Sequence, residues 1–255
     1  MKQIIAPVIA CSEVMPGVYL IWLEAPEIAS IAKPGQFVMV RCGEDALLRR
    51  PLSIHQVDGN KVALLFNVVG KGTHWLSQYQ AGDNIDLLGP MGNGFSIQSD
   101  SRNLLLVAGG IGTAPFNLLI KEALRSKCSV TLLLGAQTEA QLYPENLLPL
   151  GIKLVTATED GTAGRKGMVT DLLPDFTGWA DQVFACGPLP MYKAMAQMPE
   201  LKGKPVQVSL EVRMGCGRGV CYSCTVKTKN GLKQVCRDGP VFDLNDILWD
   251  ELNLL

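Results

Sequence analysis

The 255-residue sequence contains no run of Lys or Arg and no long apolar stretch. Its formal net charge is only -1, so it lacks the basic surface with which proteins follow a phosphate backbone. The longest apolar stretches, such as residues 104–108, are far below the roughly 20 residues that a membrane-spanning helix needs. We therefore expect neither nucleic acid nor a membrane as a partner.

The sequence also lacks a convincing signal peptide. Residues 1–11 contain a short apolar run that Pro7 interrupts, so we interpret them as a first β-strand. Eight cysteines would suit disulfides in a small secreted protein, but in a chain of this length without a signal peptide they indicate reduced thiols in the cytoplasm. Cys11, Cys42 and Cys128 are scattered, and we expect them to be buried free thiols.

The pattern of apolar runs and turn residues changes near residue 100 and divides the chain into two parts. As far as about residue 97, short β-branched runs alternate with turn signals every ten residues or so, which predicts an antiparallel β-barrel. Beyond residue 100, apolar runs alternate with helical stretches, which predicts a doubly wound parallel sheet. The predicted class is α/β plus all-β, with a barrel domain at 1–99, a Rossmann-like domain at 100–204 and a small unit at 205–255. The predicted strands are 104–108, 130–134, 153–156, 182–186 and 206–213, and the predicted helices are 115–127, 168–173 and 190–198.

Four cysteines near the C-terminus follow the pattern C-x4-C-x2-C…C, which is the spacing of plant-type two-iron clusters. They are Cys216, Cys221, Cys224 and Cys236. Glycines between the first two let the backbone turn its N–H groups toward the sulfur atoms. A structural zinc site also uses four thiolates, but its ligands are usually paired in two short knuckles far apart. The spacing favours the cluster over zinc.

A glycine turn follows the first strand of the predicted sheet. Gly109, Gly110 and Gly112 precede a predicted helix, and such a turn lets phosphates approach the N–H groups at a helix start. The motif departs from G-x-G-x-x-G because Pro115 replaces the third glycine. A tight turn that serves packing alone is the alternative.

The fourth predicted strand ends in Cys186, Gly187 and Pro188, at the carboxyl edge where ligands of open α/β sheets bind. A thiol there could contact a nicotinamide ring. A core cysteine before a turn is an equally good interpretation.

The barrel contributes two polar motifs. In the first, Arg50 is followed three residues later by Ser53, and together these side chains could hold a pyrophosphate. In the second, Gly72 and Thr73 open a predicted helix and could form a further phosphate site. Each motif alone could be an exposed Arg or a simple helix cap, so it is their occurrence together that indicates a cofactor.

The order of these motifs along the chain resembles that of the ferredoxin–NADP reductase superfamily: R-P-L-S, G-x-G-T, G-G-x-G-x-x-P and then C-G-P. In that superfamily the barrel holds FAD and the α/β domain holds the pyridine nucleotide. Residues 89–95, residues 159–171 and the cysteine loop resemble one family within it, the electron-transfer subunits of dihydroorotate dehydrogenase B. The resemblance implies FAD, a 2Fe-2S cluster on the four cysteines, and NAD as an exchanging substrate, with Cys186 as the catalytic candidate. The implied cofactor-binding residues are Arg50, Pro51, Leu52, Ser53, Asn67, Gly70, Gly72, Thr73, Gly109, Gly110, Gly112, Pro115, Gly187 and Pro188. Leu52 replaces the aromatic residue that the superfamily usually places beside the flavin.

The resemblance also implies a partner and a pathway. The partner would be an FMN-containing catalytic subunit that oxidises dihydroorotate in pyrimidine biosynthesis, and the complex a heterotetramer with two copies of each chain. Nicotinamide exchanges two electrons as a hydride whereas the cluster exchanges one, so a flavin between them is chemically required. Electrons would flow from the partner through the cluster and FAD to NAD.

For the choice of nucleotide, residues 135–152 contain Glu139 and Glu145 but no Lys or Arg. A 2′-phosphate would find no cation there, which favours NAD over NADP, although Arg165 and Lys166 could reach the site from another loop.

Two alternative functions remain open at this point. The chain could be the NAD(P)H reductase subunit of another iron–sulfur flavoprotein complex, such as a hydrogenase, a sulfide dehydrogenase or a ferredoxin-linked transhydrogenase. It could also be a zinc-stabilised binding module without redox function. The apolar tail, residues 237–252, could dock a partner or simply bury the cysteine loop against the core.

Overall fold

The computed structural model describes residues 1–43 and 47–252. The N-terminal part is a closed six-stranded antiparallel barrel with the strand order β1-β2-β5-β4-β3-β6, as the turn rhythm predicts. Two short helices, α1 (Pro26–Ala29) and α2 (Lys71–Ser77), accompany it. The barrel strands are β1 (Lys2–Met15), β2 (Val18–Glu24), β3 (Phe37–Val40), β4 (Arg50–Asp58), β5 (Lys61–Asn67) and β6 (Asn84–Met91).

Apolar side chains fill the barrel. Val38, Ile54 and Leu64 have no solvent exposure and belong to one buried cluster. Gly17, at φ +72°, makes the tight turn between β1 and β2, because glycine adopts positive φ without steric cost.

The central part is a parallel sheet flanked by helices. Its strands are β7 (Asn103–Gly109), β8 (Ser129–Ala136), β9 (Lys153–Thr158), β10 (Arg165–Lys166) and β11 (Gln182–Cys186), and its helices are α3 (Phe116–Arg125), α4 (Leu173–Thr177) and α5 (Leu189–Gln197). The four strands predicted here are confirmed. The helix predicted at 168–173 is a 3-10 turn over Val169–Leu172 that continues into α4. Helix α3 starts at Phe116, since Pro115 occupies its N-cap.

The C-terminal part contains β12 (Val206–Ser209), β13 (Thr225–Thr228), β14 (Gly231–Gln234), α6 (Val235–Asp238) and β15 (Val241–Asp243). Strands β12 and β15 extend the central sheet, whose order is β10-β9-β8-β7-β11-β12-β15. The predicted strand 206–213 therefore ends at Ser209, after which the chain turns away into the cysteine loop. A boundary at residue 204 divides one continuous sheet, and the three-part division stays a prediction.

The tail after the cysteine loop is buried. Leu244, Ile247 and Trp249 belong to the same apolar cluster as Tyr192 of helix α5, and the rings of Trp249 and Tyr192 stack with centroids 5.4 Å apart. Packing of the tail onto the core is therefore the correct interpretation for these residues. None of the helices among residues 1–43 and 47–252 is long and apolar enough to cross a membrane.

The strand order reverses between β7 and β11, because the chain leaves β7 toward β8 on one side and later returns to β11 on the other. In open α/β sheets, ligands bind at the carboxyl ends of the strands at such a reversal. The turns that follow β7 and β11 meet at this point.

Candidate functional site: two adjoining crevices and a cysteine loop

A cavity of about 1120 Å³ lies between the barrel, the sheet and the C-terminal unit. Strands β4 and β5 form one wall, and residues 209–214 with the β13–β14 hairpin form the other. We call this cavity the barrel crevice. Its volume suits a ligand of dinucleotide size.

Six of the eight barrel residues predicted to bind a cofactor line the barrel crevice. Gly70 and Gly72 are not among its lining residues. Gly72 lies behind Arg50, because a Cβ on Gly72 would come within 3.3 Å of Arg50 Nε and 3.2 Å of Cys42 Cβ. A side chain at residue 72 would displace the guanidinium. The six lining residues are Arg50, Pro51, Leu52, Ser53, Asn67 and Thr73.

Hydrogen bonds hold the polar groups of this wall. Arg50 Nη1 donates to the Leu48 carbonyl at 2.7 Å. Thr73 Oγ1 accepts from the N–H groups of Val69 at 2.9 Å and Gly70 at 3.2 Å, and so orders the turn before α2. A guanidinium held in this way is a donor group that fits phosphate oxygens. The chemistry of this wall therefore fits a pyrophosphate-bearing cofactor such as FAD.

A second cavity, of about 720 Å³, lies at the strand-order reversal, and we call it the sheet crevice. Met15 and Asn67 of the barrel form part of its wall, and Asn67 lines both crevices. Pro115, at the start of α3, is not among the residues that line it. The predicted nucleotide-binding residues that do are Gly109, Gly110, Gly112, Gly187 and Pro188.

The glycines of the sheet crevice allow two turns to touch. A Cβ on Gly109 would lie 2.7 Å from Pro188 Cδ, and a Cβ on Gly187 would lie 2.6 Å from Met191 Cε. Close packing is therefore one reason for these glycines. Because the same turn faces the crevice, bare main chain also lies where a diphosphate could approach it.

Cys186 lies beneath the floor of the sheet crevice. It is 1% exposed and is not among the residues that line either crevice. Burial, and secondarily the charge of Glu211, raises the pKa of its thiol well above the usual value, so it is protonated at neutral pH. Its contact with a nicotinamide ring stays a prediction.

Sequence reasoning missed Glu211, which lines both crevices. The residue is exposed to the cavity, but protein atoms surround its carboxyl group on most sides, and this desolvation raises the pKa. Tyr192 fixes the neighbouring chain, since its hydroxyl accepts from the Gly187 N–H at 2.9 Å and donates to the Ser209 carbonyl at 2.6 Å. The sequence signal that could have identified Glu211 is a single carboxylate between two apolar residues, Leu210 and Val212.

The four predicted cysteine ligands come together in the loop between β12 and β13 and in α6. Six main-chain N–H groups donate to their sulfur atoms at 3.2–3.5 Å. Such bonds stabilise negative charge on sulfur, as an iron–sulfur cluster requires. The donors are the N–H groups of Cys216, Arg218, Gly219, Val220, Cys221 and Cys236.

The cysteines form two pairs. Cys216 and Cys221 exchange N–H···S bonds of 3.4 Å, and the Cys236 N–H donates to Cys224 Sγ at 3.5 Å. The hydrogen bond with Ser223 Oγ at 3.2 Å, aided by nearby N–H groups, lowers the pKa of Cys221 to about 6. Within the described ranges, no three His, Cys, Asp or Glu side chains converge as the ligands of one ion would. Four sulfur atoms that accept from neighbouring main-chain N–H groups are a donor set that fits an iron–sulfur cluster.

The cysteine loop has an inner and an outer side. Cys224 and Ser223 line the barrel crevice. Cys221 is exposed on the outside, between Val220 at 73% and Tyr222 at 69% exposure. We call residues 220–222 the loop tip. One cysteine pair thus reaches toward the crevice and the other toward solvent.

The acidic residue at the far end of the sheet crevice is Glu159. Glu139 and Glu145, predicted from the sequence, are not among the lining residues, and neither is any Lys or Arg of the described chain. Arg165 is held elsewhere, since it donates to Asp175 Oδ2 at 2.7 Å and to the Asp171 carbonyl at 2.8 Å. A nucleotide bound in the sheet crevice would therefore meet the Glu159 carboxylate, and no Lys or Arg of the described chain, at the far end.

Comparison with known proteins gives two family matches. Residues 211–248 match the iron–sulfur cluster binding domain of dihydroorotate dehydrogenase B, and residues 106–197 match the oxidoreductase NAD-binding domain. Among curated relatives, the electron transfer subunit of dihydroorotate dehydrogenase B (NAD(+)) from Desulforamulus reducens is 42% identical, over 96% of this chain and 98% of the relative. The subunit of the same name from Clostridium acetobutylicum is 41% identical, over 86% and 87%.

Solved structures share the fold. A chain of the NADH-dependent reduced ferredoxin–NADP oxidoreductase, studied for flavin-based electron bifurcation, aligns with a TM-score of 0.88 at 32% identity, covering 97% of this chain and 91% of its own. The ferredoxin NADP+ reductase from Neisseria gonorrhoeae aligns with a TM-score of 0.65 at 19% identity, covering 77% and 90%. The second likeness shows the fold alone.

Proposed function

This chain belongs to the family of electron-transfer subunits of NAD-dependent dihydroorotate dehydrogenase B, and we propose that it carries electrons from a dihydroorotate-oxidising partner subunit to NAD. It is an oxidoreductase subunit whose cofactors are FAD and a 2Fe-2S cluster, with NAD as the exchanging substrate. The product of the partner's reaction is orotate, a precursor in pyrimidine biosynthesis.

The continuity of the three sites carries this proposal. Asn67 and Glu211 line both crevices, so the sheet crevice opens into the barrel crevice. Cys224, a cluster ligand, lines the barrel crevice from the other side. FAD supplies the step between hydride transfer and single-electron transfer. The order of sites along the protein is therefore the order that this chemistry requires.

The residue roles follow from this order. Arg50, Pro51, Leu52 and Ser53 of β4 bind FAD, with Asn67 at the opening to the sheet crevice. Gly70, Gly72 and Thr73 shape the turn that supports Arg50. The turns that hold Gly109, Gly110, Gly112 and Pro115, and Gly187 and Pro188, bind NAD, and Cys186 supports the nicotinamide end from below.

The partner binds at the loop tip. Val220 and Tyr222 expose apolar surface on either side of Cys221, and apolar side chains around a redox centre are suited to a protein interface. The partner is an FMN-containing catalytic subunit, and the assembly has two copies of each chain. The four cysteines outside the cluster loop, Cys11, Cys42, Cys128 and Cys186, are free thiols, which agrees with a reducing cytoplasm.

The deciding experiment is co-expression with the dihydroorotate dehydrogenase catalytic subunit of the same genome. We expect a complex that contains FAD, FMN and two irons per copy of this chain, and that reduces NAD when dihydroorotate is added. A complex that forms with both flavins and iron but transfers no electrons to NAD would contradict the proposal.

One observation favours a second candidate. The 32% identical chain with a TM-score of 0.88 is part of a ferredoxin–NADP oxidoreductase, so the reductase subunit of such a complex shares almost the whole of this architecture. Reduced ferredoxin supplied to the purified chain tests this function directly. NAD reduction that needs ferredoxin, and for which the dihydroorotate partner cannot substitute, would favour it.

A further inference from the structure

Three side chains form a buried polar cluster between the barrel and the sheet. His55 comes from β4, Asn117 from α3 and Tyr143 from the loop after β8. Their exposed fractions are 0%, 0% and 2%. We call this group the His55 cluster. The three residues lie far apart in sequence, so the cluster exists only when the barrel and the sheet are correctly docked.

The hydrogen bonds define one tautomer of His55. Its Nδ1 lies 2.7 Å from the Ala114 carbonyl oxygen, which can only accept, so Nδ1 carries the proton. Nε2 is then an acceptor and lies 2.9 Å from the Tyr143 hydroxyl and 3.0 Å from Asn117 Nδ2. Asn117 Nδ2 also donates to the Leu147 carbonyl at 3.2 Å, which fixes the orientation of the amide.

Burial keeps the ring neutral. It lowers the pKa of His55 to about 4, and the positive charge of Lys121 acts in the same direction, against the hydrogen bond to Ala114. A proton on Nε2 would also face the Asn117 amide hydrogens. The single arrangement described above therefore holds at neutral pH.

The cluster joins the strand that carries the FAD motif to the turn that carries the nucleotide motif. His55 lies two residues after Ser53 on β4. Ala114 directly follows the 3-10 turn Gly110–Thr113 of the sheet crevice, and Ala114 itself lines the barrel crevice. The bond from His55 Nδ1 to the Ala114 carbonyl is thus a direct link between the two predicted cofactor sites.

We propose that His55 is a positioning residue that holds the Gly110–Ala114 turn at a fixed distance from β4, and thereby sets the approach of the nicotinamide to the flavin. The inference rests on the proposed function, because it assumes NAD in the sheet crevice and FAD in the barrel crevice. Hydride transfer is sensitive to such placement, and a displacement of about 1 Å can slow a reaction about a hundredfold.

The polar character of the cluster supports positioning over simple space filling. An apolar side chain at residue 55 would leave the buried Ala114 carbonyl and Tyr143 hydroxyl without the partners that His55 supplies, and an unpartnered buried polar group costs free energy. Directional bonds fix an orientation that apolar contacts leave adjustable.

Two amide variants separate the functions of the two ring nitrogens. In His55→Asn the amide nitrogen can take the place of Nδ1 and keep the bond to Ala114. In His55→Gln the longer side chain reaches the place of Nε2 and keeps the contacts with Tyr143 and Asn117. The purified FAD- and iron-loaded chain, without a partner, is mixed with NADH and with 4-deuterated NADH in a stopped-flow instrument.

We expect His55→Gln to slow flavin reduction about tenfold or more, with a larger isotope effect and little change in the Kd for NADH. The rate of His55→Asn should stay within about threefold of the parent rate. Tyr143→Phe, which keeps the Ala114 bond, is a second control and should also stay within about threefold. Equal rates in the Asn and Gln variants, when both retain FAD and iron, would overturn the positioning role.

If NADH does not reduce the flavin of the parent chain, the proposed function itself fails, which is a different result. Should His55→Gln not fold, His55→Leu, which also lacks the bond to Ala114, takes its place with the same expected slowing relative to His55→Asn.

Discussion

Gly112 lies directly against the main-chain carbonyl of Cys186, and a Cβ on Gly112 would overlap with that carbonyl group. The contact joins the turn after β7 to the last residue of β11. It explains why packing alone already requires glycine at residue 112. The two turns form one rigid floor beneath the sheet crevice.

The first prediction concerns this contact. Gly112→Ala should destabilise the protein by about 1–3 kcal/mol, because the backbone must shift to admit the methyl group, and it should raise the Kd for NADH at least tenfold. Gly178→Ala is the matched control, since Gly178 has nothing within 4 Å of its Cβ position and no positive φ. Thermal unfolding and an NADH titration measure both effects. An unchanged Kd in Gly112→Ala would show that the turn does not contact the nucleotide.

The second prediction concerns the cysteine loop. Cys224→Ser should lose the iron and the visible absorption of the cluster while retaining FAD, because a serine oxygen is a poor replacement for a thiolate ligand of iron. Cys128→Ser changes a buried free thiol outside the loop and should keep both irons. Iron analysis and visible spectra distinguish the variants. Full iron content in Cys224→Ser would remove Cys224 from the ligand set.

The third prediction concerns pH. The pKa of His55 is lowered from 6.5 to about 4 in the folded protein, so between these values the unfolded chain binds a proton that the native protein does not. Stability from this residue is fully present above about pH 6.5 and is lost as the pH falls toward 4, by about 3 kcal/mol in total. Urea unfolding of the protein at pH 7 and at pH 4 measures the loss.

The other histidine provides the control for this measurement. His55→Gln should remove the histidine part of the loss, whereas His74→Gln, at an exposed position on α2, should leave it in place. If the two variants have the same pH dependence of stability, His55 is not the group responsible.

The fourth prediction concerns the choice of nucleotide. Glu159 lines the sheet crevice and is exposed to it, so its charge opposes a 2′-phosphate and suits a ribose hydroxyl. Glu159→Gln should lower the KM for NADPH about threefold and raise the KM for NADH, an effect of the size expected for an exposed charge. Glu145→Gln, outside the crevice lining, should change neither value. Steady-state reduction of an artificial acceptor at low salt gives both constants.

The parts of the fold that depend on local pattern could be predicted from the sequence. The barrel follows from its turn rhythm, and the strands β7, β8, β9 and β11 follow from short apolar runs between helices. The convergence of the four cysteines could be predicted because three of them lie within one tight loop, where the short spacing limits how far apart they can be.

The parts that depend on contacts between distant residues could not be predicted. Strand β15 exists because Phe242 pairs with Val208, and nothing in its short sequence indicates an edge strand of the central sheet. Glu211 lines both crevices only because the fold brings the two crevices together, which its local sequence does not indicate. His55 could be read only as a packing or surface residue, since its hydrogen-bond partner Tyr143 lies 88 residues away.

The pairing of β12 with β15 has a mechanical consequence. The chain leaves the sheet at Ser209 and returns to it at Val241 on the neighbouring strand, about 5 Å away. Residues 210–240 carry the four cysteines and one wall of the barrel crevice, and a single pair of strands holds both of their ends. A displacement of that strand pair would therefore move the cysteine loop and the crevice wall together.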